Sequence, residues 1–337
     1  VIPTGVMGPL LVNGSKAQGC YFVPLATTEG ALVASYHRGA RAVLECGGVN
    51  SVSVSKKIQR CPSFQFQSLR DLALFLLELQ EISLAQMQEI AAGYSRFASL
   101  LNADINIEGR QLILILEFDT ADAAGQNMIT VCSDAICAFI LSTCKQQPDV
   151  WYLESNLGGD KKATAGTLSK VRGQRVIAEA RIPKAIINKV LKAEGQAIEK
   201  YYLNSTLAAI QSGSIGAQGH YANGLTALFL ATGQDVACVS EAATGVTRME
   251  YNVDDESLYV SVTLPNLVCG TVGGGTHLPT QREALELMGC YGPGKAIVFA
   301  EVAAATVLCG ELSIAAALSS GHFGKAHARF RPNTSGR

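Results

Sequence analysis

Residues 105–118 read INIEGRQLILILEF, two extended runs on either side of a Glu-Gly turn, which is the pattern of a β-hairpin. Its neighbours decide what kind of fold holds it. Helical patterns precede it at 67–81 (QSLRDLALFLLELQE) and 83–102, and an apolar helix follows from about Gly125 to Cys144. Residues 62–152 therefore run β, α, α, β, β, α, an order that suits a small α+β sandwich. That sandwich is expected to be inserted in a larger domain made of residues 1–61 and 153–337. The fold class is α+β.

In the larger domain, TTEGALVASYHRGARAVLECGG (27–48) reads as a helix that starts at a Thr/Glu cluster and stops at Gly47-Gly48. SVSVSKKIQ (51–59) and GQRVIAEARIP alternate like strands. One or two helices follow, with Pro183 suited to a first turn, and then the extended run SLYVSVTLPNLVCGTV. TQRE (280–283) has the form of a capping box opening a helix that ends at Gly289. The last helix, from about Lys295 to Ser320, is the long central element. It carries Glu301 and Glu311 in an otherwise apolar run, so it reads as a buried helix rather than a membrane span.

The 337 residues are 48% hydrophobic and only 16% charged, which points to a large core and an oligomer interface. Net charge is −1 with no long run of either sign, which removes the electrostatic footprint of a nucleic-acid binder. Ten cysteines without a Cys-x-x-Cys pair argue against zinc and against a disulfide framework. They read as small buried hydrophobes in a reducing, cytoplasmic compartment, and no metal is expected. The chain opens at Val1 rather than Met, which leaves room for a segment upstream, including a membrane anchor.

Candidate chemistry lies in several short stretches. NLGGDKKATAG (156–166) sets Asp160, Lys161 and Lys162 in a weakly constrained loop that could be a solvated turn, a phosphate cradle or the seat of a catalytic lysine. GTVGGGT (270–276) matches neither a dinucleotide fingerprint nor a P-loop and reads first as a tight turn. DAAGQNM (122–128) opens a helix, with Asp122 as its N-cap and Gly125 allowing close approach of an anion. Glu29 sits at a helix start among small apolar residues, either as a capping charge or as a desolvated proton donor. Asp235 lies in an apolar run and calls for a cationic partner, which Lys161 or Lys162 could supply. A cluster of Glu29, Asp235 and one lysine would set proton-transfer pKa values. His322 and His327 are poorly spaced for a metal, and His327 is either a surface histidine or a general acid on a C-terminal flap.

Taken together the segments resemble the catalytic domain of HMG-CoA reductase (3-hydroxy-3-methylglutaryl-coenzyme A reductase). The matching stretches are VIPTGVMGPL, PLATTEGALVAS, RGARA, SRF at 95–97, DAAGQNM, DKK at 160–162, GSIGAQGHYAN, GQD at 233–235, GTVGGGTHLPTQ and GELSIAAALSSGHFGKAH. They appear in the family's order along nearly the whole chain. GTVGGGT and GKAH look like the NADPH-using (class I) branch typified by eukaryotic and archaeal enzymes.

The resemblance implies reduction of HMG-CoA to mevalonate and coenzyme A by two NADPH in succession. It gives Lys161 the role of stabilising the oxygen anion formed at the thioester carbonyl, and Glu29 that of proton donor to the aldehyde. Asp235 adjusts the protonation of both, and His327 protonates the departing thiolate. It makes 62–152 a ferredoxin-like NADPH-binding domain, with Arg96 near the 2′-phosphate and Ser95 and Phe97 also on the cofactor. Asp122, Gly125, Gln126, Asn127 and Met128 would approach the other phosphates, with Gln234 and Gly274 also on the cofactor. The substrate would meet Arg38 at coenzyme A and Arg60, Ser155, Asp160, Lys162 and Asn223 at the acid half. Active sites shared between subunits imply a homodimer or tetramer.

Four departures stand out. Asn204 replaces a lysine of the family, the serine before DKK falls on Glu154 or, with a slip, Ser155, and GSIGAQGHYAN is one residue short. Asn333 stands where animal enzymes carry a regulatory serine. The first two bear on recognition of the glutaryl carboxylate, so a reductase with another acyl-CoA substrate is the second expectation. A non-catalytic relative that keeps the fold is the third.

Overall fold

The computed structural model describes residues 1–169 and 172–321. The chain begins with β1 (Thr4–Gly14), β2 (Gln18–Ala26), α1 (Leu32–Glu45) and β3 (Val49–Arg60). It continues through β4 (Ser63–Gln65), α2 (Leu69–Gln80), α3 (Leu84–Tyr94), β5 (Ser99–Glu108), β6 (Gln111–Asp119), α4 (Gln126–Thr143) and β7 (Val150–Tyr152). It then forms β8 (Gly173–Pro183), α5 (Lys184–Ile186), α6 (Gly195–Gln211), β9 (Gly216–Ala217), α7 (Tyr221–Thr232) and α8 (Val239–Ala242). The last elements are β10 (Gly245–Asn252), β11 (Ser257–Leu267), α9 (Pro279–Leu287) and α10 (Ala296–Ser319). Two compact units result: residues 1–55 with the chain from Lys161 onward, and residues 56–160.

The first unit is organised by α10. Its sequence is apolar all round, and it packs on α1, α6, α7, β1, β8 and β11. It is long and apolar enough to cross a membrane, but 89% of its most apolar window is buried inside the protein. In α1 the apolar spacing Leu32, Tyr36, Ala40, Val43 makes the stripe that meets α10. The helices approach closely at Gly39, where a Cβ would overlap the carbonyl oxygen of Cys309. One turn along α10, Ser313 Oγ accepts from Arg38 Nε at 3.0 Å, and its carbonyl accepts from Arg38 Nη2 at 2.6 Å.

Strand β8 alternates as its sequence predicts, burying Val176, Ala178, Ala180 and Ile182. It pairs antiparallel with β11, which pairs antiparallel with β10, and β9 joins β10 in parallel. Strand β1 forms a hairpin with β2 and a short parallel ladder with β3.

In the second unit β5 and β6 form the hairpin read from residues 105–118, with Ile105 opposite Leu114 and a bulge between Leu100 and Asn102. Strand β6 also pairs with β4 and with the end of β3, and β7 pairs with β4. Helices α3 and α4 pack together and bury Met87, Ala91, Ile129, Ile136 and Ile140.

Several boundaries differ from the sequence reading. Helix α1 starts at Leu32 rather than near Thr27, because Thr27 Oγ1 accepts the Glu29 amide at 3.0 Å and holds a turn there. The helix expected over 83–102 ends at Tyr94: Ser95 Oγ accepts the amides of Phe97 and Ala98, each at 3.1 Å, and turns the chain into β5. Helix α4 is capped by Gly125 in the left-handed region (φ 81), not by Asp122. TQRE is no capping box, since α9 starts at Pro279 and Thr280 Oγ1 donates to Gln281 instead. The helical run after Pro183 is split at Lys192 (φ 56), after a π-helical turn at Ile187–Leu191.

Candidate active site

Lys161 sits in the loop between β7 and β8 with φ 56, a conformation that a residue with a Cβ avoids at about 1–2 kcal/mol. Its ammonium Nζ lies 3.0 Å from Asp235 Oδ2, with both side chains 41% exposed. The other oxygen, Asp235 Oδ1, accepts from the Ala237 amide at 3.1 Å and caps the 3₁₀ turn Val236–Cys238. Asp235 is therefore half open to solvent rather than buried in its apolar run. An ion pair this exposed contributes about 0–1 kcal/mol to stability, so its consequence is orientation.

Glu29 lies between β2 and α1, half-buried, and its Oε2 accepts from Asn223 Nδ2 at 2.9 Å. Asn223 is in the first turn of α7. Of the residues expected to cluster, Lys161 meets Asp235, and Glu29 meets Asn223. A concavity of about 420 Å³ opens beside Glu29, lined by Thr27, Thr28, Asn223 and Thr226 among others. The start of α7 is fixed from behind by Glu311 of α10, which accepts from the amides of Gly219 (2.7 Å) and His220 (2.8 Å) and from Thr247 Oγ1 (2.8 Å). His220 Nδ1 lies 2.9 Å from the same carboxylate. Burial works to raise the Glu311 pKa, but the His220 contact and the two amides outweigh it and hold the carboxyl below its ordinary value.

Arg38 is anchored on Ser313 as described, and burial lowers its guanidinium pKa from the ordinary value. Gln234 is buried and braces the start of the glycine-rich loop, donating to Gly270 O at 2.9 Å and accepting from Gly270 N at 2.8 Å. Within that loop Gly274 opens a 3₁₀ turn at φ 55. Lys162 and Asn204 are exposed. His327 lies outside the described residues.

In the second unit Arg60, 8% exposed, gathers the acidic groups. Its Nη1 lies 2.9 Å from Glu154 Oε2 and 3.5 Å from Asp160 Oδ2, and its Nη2 donates to Thr130 Oγ1 at 2.9 Å. Ser155 N donates to Cys61 O at 2.9 Å, which leaves Glu154 rather than Ser155 as the side chain on the arginine. Arg60, Glu154, Ser155 and Asp160 all belong to this unit, which starts at Lys56 and ends at Asp160, whereas the sequence reading puts them in the larger domain.

The remaining expected residues form two surfaces of the second unit. Ser95, Arg96 and Phe97 make the turn after α3, with the exposed Arg96 guanidinium 5.3 Å from the centroid of the Phe97 ring. At the start of α4 the N-cap is Gly125, which has no side chain to cap the helix; Asn127 is exposed, and Asp122, Gln126 and Met128 are half-buried. An exposed arginine and a helix N-terminus that begins at a glycine are features that accept phosphate groups.

A family profile described as hydroxymethylglutaryl-coenzyme A reductase matches residues 1–331. The chain belongs to that reductase family. It is 41% identical to the 3-hydroxy-3-methylglutaryl-coenzyme A reductase of Methanocaldococcus jannaschii, over 97% of this chain and 81% of the relative. It is 44% identical to the enzyme of the same name from Pyrococcus horikoshii, over 97% of this chain and 80% of the relative. Among solved structures it resembles the class II 3-hydroxy-3-methylglutaryl-CoA reductase from Streptococcus pneumoniae bound to NADPH. The TM-score is 0.73 at 19% identity, covering 94% of this chain and 85% of that one, a likeness of fold.

Membership of the reductase family fits the mixed α+β architecture. Some of the residues that build the site gave no signal in the sequence. Glu241 and Arg172 stand apart in unremarkable runs, yet they are joined and buried behind Lys161. His220 lies inside the quoted GSIGAQGHYAN, and only the fold reveals that Glu311, far along the chain, holds it.

Proposed function

We propose that the protein catalyses the four-electron reduction of HMG-CoA by two NADPH to mevalonate and coenzyme A. The observation that carries the reading is the Lys161 ammonium, held 3.0 Å from Asp235 in a strained, half-exposed loop. Family membership supplies the substrate class.

NADPH, when bound, supplies hydride. Arg96 would pair with its 2′-phosphate, and the Gly125–Met128 start of α4 would receive the other phosphates at the positive end of its dipole. Hydride arriving at the thioester carbon leaves negative charge on the carbonyl oxygen, and Lys161 stabilises that oxygen with a fixed ammonium. Asp235 keeps the ammonium aimed. Collapse of the adduct expels the coenzyme A thiolate, which takes a proton from His327, and leaves the aldehyde. The second hydride goes to the aldehyde carbon, and Glu29, oriented by Asn223, gives its proton to the oxygen. The proposal includes a homo-oligomer, supported by the exposed stripe Leu203, Leu207 and Ile210 on α6. It also includes a reducing, cytoplasmic setting, supported by eight buried cysteines of ten.

The test is turnover. Purified protein should oxidise two NADPH for each HMG-CoA and release free thiol, and Lys161→Ala should abolish both while the fold persists. Binding of NADPH without its oxidation in the presence of HMG-CoA would sink the reading. A second reading, an altered acyl substrate, is favoured by the Glu154–Arg60 contact and by Asn204. Faster turnover of an acyl-CoA without the distal carboxylate would support it.

A further inference from the structure

Lys161 is held at its backbone as well as at its ammonium. Its amide N donates to Glu241 Oε1 at 3.1 Å. The second oxygen, Glu241 Oε2, takes Arg172 Nε at 2.7 Å. Both side chains are buried, Glu241 at 0% and Arg172 at 2% exposure. Arg172 N in turn donates to Asn266 Oδ1 at 2.8 Å, and Asn266 Nδ2 donates to Thr167 O at 2.6 Å, which ties β11 to the loop that carries Lys161.

A buried ion pair of this kind is poor evidence for stability, since well-packed apolar residues often replace one at no cost. Its geometry has a more specific consequence. Lys161 lies in a turn outside any strand or helix, with φ 56, so its amide needs an acceptor other than a ladder or helix partner. Glu241 provides one, and Arg172 holds the second carboxylate oxygen and keeps the group turned to it. Glu241 lies in α8, close in sequence to Asp235, so one short segment holds both ends of the lysine.

We infer that the buried Glu241–Arg172 pair is a positioning element that fixes the Lys161 backbone and so aims its ammonium. The inference rests on the proposed role of Lys161 at the developing oxygen anion.

Two variants free of buried charge separate positioning from bulk stability. In Glu241→Gln with Arg172→Met the amide oxygen is free to accept from Lys161 N. In Glu241→Leu with Arg172→Met there is no acceptor. The Gln/Met protein should turn over at least about 10-fold faster than the Leu/Met protein, with KM for NADPH within about twofold and similar melting temperatures. The single Glu241→Gln change should be slower than the Gln/Met double, because Arg172 then captures the only oxygen and turns the amide NH₂ toward another donor. Equal kcat in the two doubles overturns the inference. If Lys161→Ala keeps wild-type kcat, the role of Lys161 itself is wrong; if it abolishes turnover while the doubles are equal, only the positioning inference fails. Should a double not fold, the unaltered protein still decides: the Lys161 amide should exchange hydrogen at least about 10-fold slower than in a free peptide, and exchange at the free rate overturns the inference.

Discussion

Asp235 divides its carboxylate between two tasks: Oδ2 meets Lys161 Nζ at 3.0 Å, while Oδ1 accepts the Ala237 amide at 3.1 Å. The first task concerns charge and the second only an acceptor. Asp235→Asn should therefore keep the turn, with stability changed by no more than about 1 kcal/mol. It should lower kcat by about 100-fold, equivalent to about 2.7 kcal/mol in the barrier. Steady-state rates and a thermal melt on the same sample check the split. A fall in melting temperature that tracks the loss of rate would refute it.

The Glu29–Asn223 hydrogen bond leads to a different expectation. Asn223 is exposed and its amide is the group on the Glu29 carboxyl, so Asn223→Ala removes orientation without opening the core. A hydrogen bond of this kind contributes about 0.5–1.5 kcal/mol, which should appear as a kcat up to about 10-fold lower. Mevaldehyde offered directly as substrate should show the same loss, because the proposed proton from Glu29 belongs to that half of the reaction. Unchanged mevaldehyde reduction would remove Glu29 from it.

These pairs show where sequence alone was informative. The β5–β6 hairpin, the alternating β8 and the apolar α10 were legible because periodicity and turn residues act locally. The ends of α1, α3 and α9 were not, since Thr27, Ser95 and Thr280 each direct a side chain to a nearby group in a way their type does not specify. Lys161 was visible as an oddity of charge in a glycine-rich loop, and resemblance gave it a role. Its supports Glu241 and Arg172 were not visible, because a buried pair joined across the fold leaves no spacing to read.

Glu154 occupies the guanidinium that the proposed substrate carboxylate would seek, at 2.9 Å from Arg60 Nη1. A bound anion has to displace it or share the arginine. Glu154→Ser should lower KM for HMG-CoA by about 10-fold, about 1.4 kcal/mol, with little change for an acyl-CoA that lacks the distal carboxylate. A higher KM for HMG-CoA in this variant would mean that Glu154 assists binding instead.

Thiol chemistry provides a check on the core. Burial pushes Cys46 up to about 11 and Cys137 and Cys290 up to about 12, and Cys309 higher still, so these stay protonated and unreactive. Cys20 is the exposed member of the ten. Iodoacetamide near neutral pH should label Cys20 first and leave the α10 thiol untouched until the protein unfolds. Mass spectrometry of partly labelled protein reads the order directly.

Glu311 makes the stability of the first unit depend on pH with a definite sign. Its carboxyl is held below the ordinary value by His220 and by the Gly219 and His220 amides, against the opposing effect of burial. A folded-state pKa below the unfolded one contributes stability that is complete above the unfolded value, about 4.5, and is lost as pH falls through the folded value. Glu311→Gln puts an NH₂ among donors and leaves at least one of Gly219 N, His220 N and Thr247 Oγ1 without an acceptor. It should cost about 3 kcal/mol near neutral pH. The melting temperatures of the two proteins should differ widely at about pH 6.5, and the gap should narrow as pH falls through the lowered folded-state pKa of the wild-type carboxyl. A gap that widens as pH falls would refute the sign.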